Sequence, residues 1–215
     1  NGNNWTVNNL VAGDQVLDSP TNNWATLRVM NTPPSSGASL TEGNLYFTTG
    51  TTASARNTNR IAVSTILANS GKWYAECMIF STDNFFVGVG PNQVLTSPTA
   101  NNTRYVYMRG EDGDSVININ FSQTSPAYGS LFSVGDIAQI YVDMDAATPE
   151  VFFGKNGLWG DGSGNFDETT PTSAVVLGDT FFTADTDNAG FFEFQFSSAS
   201  GGYDAQGQFN FGQDS

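Results

Sequence analysis

Apolar residues along this chain alternate with polar residues or cluster in short runs, and Gly, Pro, Asn and Asp separate these runs closely. No stretch shows the period of an amphipathic helix, which is about 3.6 residues. Recurrence at every second position is typical of a β-strand with one face buried. Two alternating sets are predicted to face a core: Trp73, Ala75, Cys77 and Ile79, and Ala138, Ile140, Val142 and Met144.

The same pattern predicts about a dozen strands joined by turns, at the spacing of a β-sandwich. The clearest of them span residues 45–47, 60–64, 72–80, 85–90, 105–108, 116–121, 136–145 and 150–155, with further strands around 192–196 and 209–212. Asn156-Gly157 directly follows one of these strands, and this dipeptide favours a two-residue hairpin turn. The sequence therefore predicts an all-β protein.

Residues 1–39 differ from the rest in being polar, rich in Asn and interrupted by Pro20, Pro33 and Pro34. We interpret them as an extended N-terminal segment that packs on a sandwich formed by residues 40–215. No internal repeat and no change in composition marks another boundary, and 215 residues suit one large sandwich.

Charge narrows the classes of partner. Charged residues make up 13% of the chain, and 21 acidic against 7 basic residues give a net charge of −14. Nucleic acid and anionic membrane surfaces demand clustered Lys and Arg, so neither is expected as a partner. No run approaches the roughly 20 apolar residues of a membrane span, so membrane insertion is not expected either.

The residue inventory argues against catalysis. Histidine is absent, which removes the commonest general base and every triad that contains histidine, and the single cysteine, Cys77, lies in an apolar run. Paired carboxylates remain as a catalytic option, because Asp143 and Asp145 share one face of a predicted strand. We therefore expect a protein that is not an enzyme, with a glycan-degrading sandwich as an alternative.

Binding and metal sites are sought among exposed aromatic residues and acidic loops. Aromatic side chains anchor protein and sugar ligands. The candidate ligand-binding residues are Trp159, Tyr105, Tyr107, Arg109 and Asn156. Local packing is the alternative for Trp159, and packing in the core or a contact between fibre subunits is the alternative for Tyr105, Tyr107 and Arg109. Oxygen-bearing side chains at alternate positions could hold calcium, and a solvated polar loop is the alternative. The candidate metal ligands are Asp161, Ser163, Asn165 and Asp167, and no other cofactor is expected.

Three segments, in order, resemble the SPRY (B30.2-like) family. Residues 70–76 (SGKWYAE) are similar to its GKWYFE strand, residues 135–145 to its GDVIGVALDLD strand and residues 150–157 (EVFFGKNG) to its FFKNG hairpin. The resemblance covers residues 40–212 and implies a concanavalin A/SPRY-like antiparallel β-sandwich of jelly-roll type. It also implies a recognition module. Residues 146–149 and the Asp-rich stretch after Trp159 depart from the family pattern, in loops that carry specificity.

The flanks carry a narrower resemblance. Residues 4–27 and 209–213 are similar to segments that border SPRY-like domains in bacteriophage and marine-virus fibre proteins. This resemblance implies a virion location, in a tail or capsid fibre, and a homo-oligomer. The implied partner is a host surface protein or glycan, or a neighbouring virion protein. A purely structural virion protein and a cellular SPRY peptide-binding adaptor remain as alternatives.

Overall fold

The computed structural model describes ten segments of the chain, residues 25–30, 38–50, 61–81, 85–91, 105–110, 115–119, 122–124, 132–177, 192–198 and 204–212. Within them the chain forms strands and turns and no α-helix, which confirms the all-β prediction. None of these segments holds a helix with the length and apolar character of a membrane span.

Sixteen strands occur in the described segments. In chain order they are β1 (Leu27–Met30), β2 (Ser39–Thr41), β3 (Tyr46–Thr48), β4 (Ile61–Ser64), β5 (Lys72–Ile79), β6 (Phe85–Pro91), β7 (Tyr105–Arg109), β8 (Ser115–Ile119), β9 (Ser122–Thr124), β10 (Ile137–Asp143), β11 (Glu150–Lys155), β12 (Leu158–Gly160), β13 (Phe166–Glu168), β14 (Val175–Val176), β15 (Phe192–Ser198) and β16 (Gln206–Asn210). Every pairing between them is antiparallel.

The strands form two sheets. The smaller sheet has the order β1-β4-β15-β6-β7-β8-β9, and the larger has the order β13-β12-β11-β10-β5-β16-β3-β2, with β14 paired to β11. Strand β1 lies within the predicted N-terminal segment and pairs along its length with β4. Residues 1–24 and 31–37 of that segment lie outside the described residues, so its proposed packing stays a prediction.

The core lies between the two sheets and is built from the alternating positions. Ala75, Cys77 and Ile79 are fully buried, and Trp73 packs against them from the edge. Strand β10 behaves in the same way, since Ala138, Ile140 and Val142 are buried and Met144 packs against the cluster. The predicted inward faces of both strands are therefore confirmed.

Phenylalanine rings connect the two sheets at the centre of the core. Phe196, on the smaller sheet, stacks on Phe85 with ring centroids 5.9 Å apart. The same ring meets Phe47 and Phe209 of the larger sheet edge to face, at 6.1 and 6.3 Å. Such pairs stabilise a core beyond the area they bury, and this cluster holds the sandwich together.

Candidate functional site

The outward face of the larger sheet carries aromatic side chains in adjacent strands. Tyr141 of β10 lies directly opposite Tyr74 of β5 on one side and Phe152 of β11 on the other. Paired residues project from the same face of a sheet, and neighbours along a strand project from opposite faces. Since Ala75 and Ile140 face the core, these three aromatic residues line the outer face.

Trp159 of β12 completes the group. Its ring meets Tyr74 and Tyr141 edge to face, with centroids 6.2 and 6.3 Å away. It lies opposite Gly154 in the ladder, where a Cβ atom would come within 2.8 Å of the Leu158 carbonyl oxygen and 3.2 Å of the indole. A glycine there leaves room for the indole to approach the backbone of β11 closely. We call Tyr74, Tyr141, Phe152 and Trp159 the aromatic platform.

A chain of hydrogen bonds fixes the orientation of Tyr74 in the platform. The Gln139 side-chain amide donates to the Tyr74 hydroxyl at 2.7 Å, and that hydroxyl donates to Glu76 Oε1 at 2.6 Å. Gln139 in turn accepts a hydrogen bond from the Gly157 N–H in the hairpin turn. Burial and the bond to Glu76 raise the pKa of Tyr74, so the phenol stays protonated at neutral pH.

Tyr74 is the most accessible ring of the platform and Phe152 is buried, and exposed apolar side chains follow on the same face beyond Glu76. Tyr74 is 44% exposed although it lies in the middle of a sheet. Met78 and Phe80 follow it at alternate positions and are 40% and 39% exposed, and Tyr46 of β3 packs its ring 5.4 Å from Phe80. We call Tyr46, Met78 and Phe80 the apolar strip. Exposed apolar groups of this size in one patch are typical of an interaction site.

Acidic side chains surround the platform. Glu150 pairs with Asp143 in the ladder, and Glu168 lies opposite Trp159. Lys72 forms an ion pair with Asp143 at 3.0 Å. The bond from Lys72 holds the pKa of Asp143 below its usual value, and Asp143 raises the pKa of Lys72. The rim therefore carries an excess of negative charge.

The two candidate catalytic carboxylates, Asp143 and Asp145, both form hydrogen bonds to nearby backbone groups. Asp143 accepts hydrogen bonds from the backbone N–H groups of Asp145 and Ala146, in addition to its ion pair. Asp145 accepts one from the Gly71 N–H at 2.7 Å. These bonds give both carboxylates a structural role: they hold the β10–β11 connection together and join it to the start of β5.

Asn156 lies in the predicted hairpin turn, beside the platform. Its side-chain amide donates to Asp136 at 2.7 Å, and its side-chain carbonyl accepts from the Ile137 N–H at 2.8 Å. Lys155 adds an ion pair to Asp136 at 3.0 Å. Burial alone would raise the pKa of Asp136, but hydrogen bonds from Asn156 and Ser133 and the Lys155 ammonium hold it below its usual value. In this structure Asn156 fixes the hairpin.

The other three ligand-binding candidates lie in β7 of the smaller sheet. Tyr107 is only 5% exposed, with its ring 4.0 Å from Phe86. Arg109 is half-buried and lies opposite Phe86 in the ladder. The side chain of Tyr105 lies outside the described part of the chain. The structure therefore separates these residues from Trp159 by placing them in different sheets.

The four candidate metal ligands lie in and beside a tight loop after β12. Asp161 accepts hydrogen bonds from the N–H groups of Ser163 and Asn165 at 2.7 and 3.0 Å, and from the Asn165 side chain at 2.9 Å. These bonds lower the pKa of Asp161 to about 2. Asp167 is exposed in β13. Among the described residues, no three His, Cys, Asp or Glu side chains form a group that could hold a metal ion.

Of the platform residues, sequence reasoning had singled out Trp159. Tyr74 and Tyr141 occupy the positions between the core residues of their strands, so the same alternation that predicts the core predicts that they face outward. This is the signal that could have found them. Which outward residues become neighbours depends on the pairing of β5 with β10, which alternation within one strand does not specify.

No protein-family model matches the sequence, and no curated protein matches it. Solved structures do match the fold. The SPRY domain of human HERC1, known from a crystal structure, superposes with a TM-score of 0.53 at 14% sequence identity. The match covers 83% of this chain and 95% of that one. The architecture is therefore SPRY-like, a jelly-roll type β-sandwich, and the predicted fold class is confirmed.

Proposed function

We propose that this domain is a non-enzymatic binding module of a viral fibre or virion surface protein, and that it recognises a host surface protein or glycan. The observation that carries the proposal is the aromatic platform, with Trp159 and Tyr74 held in fixed orientations on an accessible sheet face. The viral setting is supported by the resemblance of residues 4–27 and 209–213 to the flanks of fibre domains.

Binding fits the platform better than catalysis does. Histidine is absent from the chain, and the Tyr74 phenol holds its proton at neutral pH. Catalysis of glycan cleavage needs one carboxyl group free to donate a proton and a second near it. Asp143 and Asp145 are instead held by Lys72 and by backbone N–H groups. The platform offers rigid aromatic surface, which is the usual anchor of a binding site.

The test is binding of the purified domain to intact candidate host cells, with Trp159→Ala as the platform variant. We expect saturable binding by the wild-type domain and at least a tenfold weaker affinity for Trp159→Ala, which removes about 1.4 kcal/mol or more of binding energy. Leu67→Ala is the matched control, since Leu67 is 41% exposed and lies outside the platform. Thermal unfolding of each variant verifies that the fold survives.

Two outcomes would count against this function. If the wild-type domain bound no candidate host cell, even when displayed as an oligomer, host recognition would be wrong. If Trp159→Ala and Leu67→Ala bound equally well, the platform would be the wrong site. A parallel measurement in EDTA tests for a divalent cation, and loss of binding both with the chelator and in Asp161→Asn would assign calcium to the acidic loop.

A structural role within a virion is the second candidate, and the apolar strip favours it. Phe80 packs its exposed ring against Tyr46, and Met78 exposes its side chain on the same face, with Gln208 of the intervening strand between it and Tyr46. A neighbouring virion subunit could cover this surface. Met78→Lys would then abolish attachment to that subunit and leave cell binding unchanged, whereas Trp159→Ala would do the reverse. Co-sedimentation with the other proteins of the same virion measures the attachment.

A further inference from the structure

We infer that the ligand of the aromatic platform is a glycan built of uncharged sugars, and this inference rests on the proposed function. The platform joins flat apolar rings to planar polar groups within one sheet face. Glu76 lies next to Tyr74 on that face, and Asn210 and Gln208 lie on the neighbouring strand. A sugar ring needs both kinds of contact, since it has an apolar C–H surface bordered by hydroxyl groups.

The geometry of the rings suits a sugar. Trp159 meets Tyr74 at an interplanar angle of 60° and Tyr141 at 73°. The rings therefore lie at steep angles to one another, so the platform offers apolar surface to a pyranose in more than one direction. Each carboxylate oxygen has two lone pairs, so Glu76 can accept from a sugar hydroxyl while it accepts from Tyr74. The hydrogen bonds through Gln139 fix this arrangement before the ligand arrives, which limits the entropy cost of binding.

Charge decides which glycans fit. Glu150 and Glu168 flank the platform, and the whole chain has a net charge of −14. Sulfated, phosphorylated or sialylated sugars would meet like charge there, and such juxtaposition opposes binding. A second copy of this chain is disfavoured for the same reason, since it would bring another acidic face against the first.

The position of the platform in the sheet argues against a peptide strand as the ligand. Strand β10 lies between β11 and β5, and β5 lies between β10 and β16. Their backbone N–H and C=O groups are used in ladders on both sides. An extended peptide could not add a strand there, which is how sheets usually bind extended peptides. A glycan needs only side chains from the sheet.

The decisive experiment treats host cells that bind the wild-type domain in two ways. Periodate cleaves vicinal diols and so destroys most glycans, and a broad-specificity proteinase removes exposed proteins. We expect periodate to reduce binding at least tenfold, whether or not proteinase also does so, because a glycan can be carried on a protein. Binding that resists periodate and is lost with proteinase would overturn the glycan and assign a protein ligand.

A second arm uses defined polymers, namely immobilised glucans, mannans, galactans and xylans, each paired with its sulfated derivative. We expect at least one neutral polymer to bind, its sulfated form to bind at least tenfold more weakly, and Trp159→Ala to lose binding while Leu67→Ala keeps it. Stronger binding to the sulfated forms would overturn the inference. Platform-dependent cell binding that persists after periodate treatment, together with no binding to any neutral polymer, would refute the glycan and retain the proposed function, whereas absence of binding to any cell would refute the function itself.

Discussion

Phenylalanine serves one purpose in the interior of this protein, and Tyr and Trp serve another on its surface. Phe196 lies in the smaller sheet, yet its ring contacts Phe85 of that sheet and Phe47 and Phe209 of the other. All four are almost fully buried. Tyr74, Tyr141 and Trp159 of the platform instead carry a polar atom on the ring and are less buried. Phe rings thus fill the space between the sheets, while Tyr and Trp supply the more exposed rings of the platform.

Replacement of Phe196 by Ala should be among the most damaging single changes in the core. It would remove ring contacts to both sheets and leave a cavity that the surrounding rings can fill only in part. We expect the free energy of unfolding to fall by about 3–5 kcal/mol. Urea unfolding followed by intrinsic fluorescence measures this loss, and a decrease below about 1 kcal/mol would show that Phe196 is not central to the packing.

Asp136 should make the stability of the protein sensitive to acid. Folding lowers the pKa of Asp136. Its ionised carboxylate therefore stabilises the fold fully above its unfolded pKa of about 3.9, and this stabilisation is lost as the pH falls through its pKa in the folded protein. We expect Asp136→Asn to reduce the free energy of unfolding by about 1–3 kcal/mol at pH 7, and this difference from wild type to shrink below about pH 4.

Urea unfolding at pH 7, 5 and 3 measures the effect of Asp136→Asn. Asp167→Asn is its control, because Asp167 is an exposed carboxylate whose replacement should change stability little at any of these values. If the free energy of unfolding of Asp136→Asn differed from that of wild type by the same amount from pH 7 to pH 3, Asp136 would not be the source of the acid sensitivity.

At the level of elements, the hairpin of β11 and β12 connects the fold to the candidate site. Asn156 and Gly157 have φ angles of 52° and 89°, as a turn with two left-handed residues requires. The turn brings Leu158 opposite Lys155 and Trp159 opposite Gly154. A turn that shifted this register by one residue would send the indole to the opposite face.

Gly157→Ala isolates the conformational cost of this turn. A Cβ atom at that position would meet nothing within 4 Å, so no steric clash contributes. The left-handed backbone alone should lower the free energy of unfolding by about 1 kcal/mol. Chemical denaturation measures it, and we expect the affinity of the folded protein for its ligand to change little. An unchanged stability would mean that the hairpin relaxes into a different turn.

The sequence predicts local features of these elements well and their assembly poorly. Alternation identified the strands and buried faces of residues 72–80 and 136–145, and Asn156-Gly157 identified the hairpin, because each signal acts within a few residues. The pairing of Tyr74 with Tyr141 joins strands about 65 positions apart, and no local pattern specifies it. For Tyr107 the sequence leaves a ligand contact and core packing open, and the structure buries its ring against Phe86.

At the scale of the whole molecule, the accessible platform is small, and we expect one copy to bind weakly. Linking several copies makes each further contact intramolecular, which raises the overall affinity by about 100-fold or more when the spacing suits the ligand. A trimeric fusion of the domain should therefore retain cells at concentrations where the monomer does not. Flow cytometry compares the two, with a trimer of Trp159→Ala as control, and equal binding by monomer and trimer would contradict this expectation.

The place of β16 in the larger sheet has a consequence for how the chain reaches its native state. Residues 206–210 insert between β5 and β3, whose own residues are made more than a hundred positions earlier. During synthesis the edges of β5 and β3 that pair with β16 stay unpaired until residue 210 has left the ribosome. Contacts so distant in sequence form slowly, and unpaired edges invite aggregation meanwhile. Production of the protein should therefore depend on chaperones and on low temperature far more than its final stability suggests.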